Sequence, residues 1–226
     1  MILADWETEL QQHLPGLTFV SPLSADLAAA TNGGVERARL ADLDEEIPQW
    51  WVEACSSEDP DQRKAVIMAR WELVTAERLP RSYAQILGRL YDVALVEIDQ
   101  RYALLYGILC SDSLTFYVGG NPFDEVGRAP QDVPWMRLPD GLREFYTLLH
   151  DGFTEFSTGR MGLVSVRQAT ALSGRVCLFT NGSDGYLTID TEDPNLAHLV
   201  LPGMDDEVHP FWDLLDQWMS LGISSV

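Results

Sequence analysis

Asp205-Asp206-Glu207, with His209 two residues on, puts four ligand-type side chains within five positions. Carboxylates and an imidazole so close could hold a divalent cation or share acid–base work. A solvated loop ahead of a helix accounts for the same run, because acids favour the positive end of the helix dipole. Asp42-Leu43-Asp44-Glu45-Glu46 has the opening of a calcium loop, and Glu53 falls at the twelfth place. Ile47 stands where that loop needs glycine and Pro48 follows, so calcium is not expected. The histidines at 13, 150, 198 and 209 form neither an H-x3-H nor an HExxH pair. His150 is expected at a helix C-terminus, where a cation suits the dipole. Gly182-Ser183-Asp184-Gly185 has the wrong spacing for a nucleophile elbow, and neither a Walker loop nor a dinucleotide fingerprint occurs. Catalytic residues, cofactor and metal are therefore all expected to be absent. A hydrolase working through paired carboxylates stays open, since such pairs need no sequence signature.

Composition narrows the classes. In 226 residues, 15 basic side chains face 35 acidic ones, a net charge of −20, and Lys64 is the only lysine. Such a field repels nucleic acid and anionic membranes and attracts a basic partner. Acidity is concentrated at the ends: residues 1–60 carry twelve acids and two arginines, and 176–226 carry nine acids and no Lys or Arg. A hydrophobic content of 46% supports a real core. Cys55, Cys110 and Cys177 are odd in number and far apart, which points to a reducing compartment rather than a disulfide frame. MILADWETELQQ lacks a basic stretch followed by an apolar one, and no apolar run approaches the roughly 18 residues of a membrane span. A cytoplasmic protein is expected.

The positioning elements can be read from periodicity. Trp6, Leu10 and Leu14 share a helix face, and a short helix capped by Ser24 closes at Asn32-Gly33. Trp50-Trp51 reads as core. A longer helix follows Asp59-Pro60, with Val66, Ala69, Leu73 and Ala76 on one side. VALVEID, YALLYGIL and LTFYVGG read as strands, the first two separated by Gln100-Arg101, with continuation of the preceding helix through 98 as the alternative. Three prolines in 121–136 mark a linker or long loop. LPDGLREFYTLLHDGF (138–153) then puts Leu142, Phe145, Tyr146 and Leu149 on one helix stripe. MGLVSV and HLVLP are further strand candidates. VCLFTNGSDGYLTID is a hairpin turning near 181–185, and EVHPFWDLLDQWMSLGI reads as a closing helix. The fold expected is α+β, mainly an antiparallel sheet flanked by helices, with a helix-rich N-terminal part.

Leu138-Pro139 with Leu142, Phe145 and His150-Asp151-Gly152, then Gly185-Tyr186-Leu187-Thr188-Ile189-Asp190, then Phe211-Trp212-Asp213-Leu214-Leu215, form an order that resembles the SUKH superfamily. That superfamily includes bacterial immunity proteins against secreted toxins and fungal regulators of cell-wall synthesis. Asp-Gly stands here where the family often has Asn-Gly. The resemblance covers about 138–222, and implies a SUKH-like domain over 131–226 beside an unassigned region over 1–130. LPRSYAQILGRLYD (79–92) repeats the helix opening at an offset of 59. It leaves three readings open: a duplicated domain, one continuous domain beginning near 60, or two unrelated amphipathic helices.

The resemblance implies a cytoplasmic immunity protein that occludes a cognate toxin or effector with a basic surface. Its alternative is a regulatory or scaffold protein. The partner-binding candidates are Glu155, Phe156, Asp184, Tyr186, Asp190, Glu192, Asp193, Asp205, Asp206 and Glu207.

Overall fold

The computed structural model describes residues 16–21, 40, 43, 45–110, 113–122, 129–156, 161–181 and 184–224. The helices expected at 6–14 and after Ser24, and Asp42 and Asp44 of the calcium-like stretch, lie outside the described residues.

The elements run β1 (Leu17–Phe19), α1 (Gln49–Ser56), α2 (Pro60–Thr75), α3 (Pro80–Arg89), β2 (Leu90–Ile98), β3 (Arg101–Cys110) and β4 (Ser113–Gly120). Then come α4 (Asp140–Glu144) with a π-helical turn (Phe145–Leu149), β5 (Phe153–Glu155), β6 (Met161–Leu163) and β7 (Thr170–Leu172). The chain closes with β8 (Arg175–Asn181), β9 (Tyr186–Asp190), β10 (Leu196–Val200), β11 (Glu207–Pro210) and α5 (Phe211–Ser224). The strands form one antiparallel sheet in the order β1-β2-β3-β4-β5-β6-β8-β9-β10-β11, with β7 paired to β8. The fold is α+β.

Residues before and after 130 share this sheet, because Tyr117 of β4 pairs with Glu155 of β5. They also share one core. Ile67, Trp71, Leu95 and Tyr106 belong to the same buried cluster as Phe145, Phe153, Leu187 and Leu215. A second cluster, around Ala94, Val96, Ala103, Leu105 and Phe116, occupies the other face of β2–β4. The alternation along β2 and β3 explains the division, since successive side chains point to opposite faces.

The stripe Leu142, Phe145, Tyr146 and Leu149 is buried, as its spacing predicts. Its helix ends in a wider turn, with His150 N–H donating to Phe145 O at 2.9 Å. Asp59 caps α2 through Asp61 N–H at 3.0 Å, and Pro60 sits in the first turn. The buried face of α2 is not the expected one, however. Arg63, Ile67, Trp71 and Val74 point inward, while Leu73 is 74% exposed. The β2–β3 turn is Asp99-Gln100, with φ of 49° and 65°, and Arg101 already pairs with Ile98. Two central residues with positive φ give the primed turn that matches strand twist, which displaces the turn expected at Gln100-Arg101 by one residue. The closing helix begins at Phe211, and 207–210 are a strand, since Phe211 N–H donates to Asn195 O at 2.7 Å and continues the β10 pairing. Trp51 is fully buried and Trp50 half-buried against the same core.

Candidate functional site

Most of the ionisable groups in the interior have a structural partner. Arg63 Nε and Nη2 grip Asp92 Oδ1 and Oδ2 at 2.8 and 2.6 Å, and Arg63 Nη1 reaches Ser57 O at 2.7 Å. Burial pushes the Asp92 carboxyl up, against the opposing pull of Arg63. Asp216, buried in α5, accepts from Arg81 N–H, Ser82 N–H and Ser82 Oγ at 3.0, 2.8 and 2.8 Å. One carboxylate of the last helix thus caps the N-terminus of α3, where the dipole favours a negative charge.

His150 departs from its expected role. It does stand at the C-terminal end of the Phe145–Leu149 turn, but fully buried among Trp50, Trp51, Trp71 and Phe153 rather than as a cation facing the dipole. Trp71 Nε1–H donates to Tyr106 Oη at 3.1 Å. Tyr106 Oη lies in turn 2.6 Å from His150 Nε2, so the three side chains form one buried hydrogen-bonded chain. Burial pulls the imidazole's pKa down to about 3, so the ring is neutral. The glycine pair ending β4 makes room for this. A Cβ on Gly119 would lie 2.5 Å from His150 Nδ1, and one on Gly120 would strike Asp151 O. Asp151 Oδ1 accepts Val166 N–H at 2.7 Å, and Gly152 takes φ 81°. The stretch His150-Asp151-Gly152 therefore locks α4 to β4 and to the 3-10 turn at Val166–Gln168.

The acidic candidates divide between buried and exposed. Glu155 is 3% exposed and lies within the β4–β5 pairing, so it offers a partner no surface and is withdrawn as a contact residue. Phe156 packs on the second apolar cluster, with its N–H bonded to Phe116 O. Tyr186 is half-buried on β9. Asp184, Glu192, Asp193, Asp205, Asp206 and Glu207 are exposed. Asp184 and Asp205 belong to connections at one end of the β8–β11 hairpins, and Glu192 and Asp193 to the other end. Asp190 shapes its own turn by accepting Glu192 and Asp193 N–H at 2.7 and 3.2 Å, which holds its pKa below the usual value.

Arg175, opposite Asp190 in the β8–β9 register, reaches Asp206 at 2.6 Å. That ion pair draws the β10–β11 loop back to the start of β8. Glu207 lies 3.2 Å from His209 Nε2. Neither Arg175 nor the buried partners of the interior were named from sequence. Arg175 is the last Lys or Arg of the chain, and that was the available signal.

Among the described residues, no group of three or more His, Cys, Asp or Glu side chains is placed to hold a metal ion. Cys55 and Cys110 are buried free thiols and Cys177 is half-buried. No helix among the described residues is long and apolar enough to cross a membrane. No family model, no curated protein and no solved structure matches the chain.

Proposed function

We propose that the chain is an immunity protein, which binds a basic cognate toxin or effector and blocks its active site or substrate path. One observation carries the reading. Asp184, Glu192, Asp193 and Asp205 stand exposed on the connections of β8–β11 and Glu207 at the start of β11, in a stretch beyond Arg175 with no Lys or Arg. Opposed basic and acidic surfaces raise association rates from about 10⁵–10⁶ toward 10⁸ M⁻¹s⁻¹. The resemblance of 138–222 to the SUKH superfamily supports the same reading. So does the use of Arg63, Asp92, Asp216 and His150 in holding the fold.

The test is the association rate with a candidate toxin domain taken from a neighbouring gene, for the wild type and for Asp205→Lys/Glu207→Lys. Asp206 is left in place because it secures the loop through Arg175. The variant should associate at least about tenfold more slowly at low salt, and the gap should close as salt rises. Equal, salt-insensitive rates would remove the acidic surface from the account.

A further inference from the structure

We infer that the outer face of β9–β11 is the docking surface, and that it takes a cationic protein surface with an apolar centre and Lys or Arg on both flanks. This deepens the immunity reading and rests on it. Leu187, Ile189 and Ala197 belong to the main core. Successive strand residues face opposite sides, so Tyr186, Thr188, Leu196, His198 and Val200 point the other way. Val208 stands opposite His198 and Val200 opposite Tyr186, which brings them together on that outer face. Tyr186, Leu196 and Val200 are half-buried, and Val208 is 52% exposed. Among the described residues, none of these four joins or packs against either buried cluster.

Thr188 and His198 stand opposite each other at its centre, 1% and 8% exposed, yet Thr188 Oγ1 and both ring nitrogens of His198 lack a hydrogen-bond partner. Buried polar groups are normally paired, so this face holds hydrogen-bonding capacity that the described residues leave unused. The occupant follows from the charges at its two ends. Asp184 and Asp205 flank one end and Glu192 and Asp193 the other, about 20 Å away along the strand direction. The guanidinium of Arg175, opposite Asp190, is already paired with Asp206, so those four carboxylates keep their charge for a partner. No Lys or Arg follows Arg175. A second copy of the chain would set acid against acid, and nucleic acid or an anionic membrane is repelled for the same reason. An apolar centre with a charged rim is the anatomy of a protein interface, and Tyr is a frequent anchor there.

The probe is the candidate toxin domain from a neighbouring gene, added to the isotope-labelled chain and followed by methyl NMR. The methyl resonances of Leu196, Val200 and Val208 should shift, whereas those of Leu73, 74% exposed on α2, should stay in place. Shifts at Leu73 as large as those on β10 and β11 would overturn the face. Binding kinetics give a second readout. Tyr186→Ala and Val208→Arg should each hasten dissociation at least about tenfold. Val208 is exposed, so its variant keeps the fold and tests the face on its own should Tyr186→Ala unfold. A complex in which both folded variants dissociate like wild type removes the face and leaves the immunity reading standing. A domain that does not bind the wild-type chain removes both.

Discussion

Replacing Arg63 by Met should be the most damaging conservative change in the sheet–helix interface. The guanidinium and the Asp92 carboxylate are 3% and 1% exposed and bonded twice. Without Arg63, Asp92 keeps the Val93 N–H at 2.8 Å. Breaking a buried pair in this way costs about 3–5 kcal/mol, a large share of the roughly 5–15 kcal/mol that holds a domain together. The double variant Arg63→Met/Asp92→Leu should recover most of it, because the uncompensated charge has gone. The pH dependence has a definite sign. Burial raises the folded pKa of Asp92 and Arg63 opposes that rise, so Arg63→Met lifts it further. A carboxyl with a raised folded pKa contributes stability that is complete below its unfolded value and lost as pH rises through the folded one. The deficit of Arg63→Met against wild type should therefore shrink as pH falls from neutrality toward the unfolded value of about 3.9. Urea unfolding across that range measures it. A deficit below about 1 kcal/mol, one that does not change with pH, or a double variant as weak as the single one would refute the reasoning.

Three further outcomes follow from the buried groups. Asp216→Ala should cost about 2–4 kcal/mol, by leaving buried N–H donors of α3 without a partner, and urea unfolding checks it. For His150 the folded pKa is lowered to about 3, so its contribution is present above the unfolded value and lost as pH falls toward 3. His150→Gln, compared with wild type by unfolding at several pH values, should flatten that window by one proton, about 1.4 kcal/mol per pH unit. Gly119→Ala should destabilise by about 1–3 kcal/mol, because the added methyl meets the imidazole, and a double variant with His150→Ala should lose less than the sum of its parts.

The elements with unbroken apolar period were legible in the sequence. Leu142, Phe145, Tyr146 and Leu149 needed only their spacing, and Asn181 and Gly185 did close a hairpin turn. Legibility failed where a polar residue does a core residue's work. Arg63 on the buried face of α2 broke the apolar pattern and made Val66 and Leu73 look like the inner side. Asp216 reads as an exposed helix acid until its partners, more than a hundred residues away, are known. Glu155 reads as surface because it is an acid, yet it is buried on β5. β11 was hidden by its length of four residues and by the proline that ends it against α5. The exposed acids of 184–207 were legible as a group, since charge alone identified them. Their spatial arrangement was not, because it depends on Arg175 and Asp206 meeting across the hairpins.

The central claim is that this chain neutralises a toxin by binding it. The most direct measurement is growth of cells expressing a candidate toxin domain from a neighbouring gene, with and without this protein, together with isolation of the complex from purified components. The account predicts restored growth with wild type, a stable complex, and weaker protection by Asp205→Lys/Glu207→Lys. Growth that stays arrested, with no complex on mixing, would contradict it.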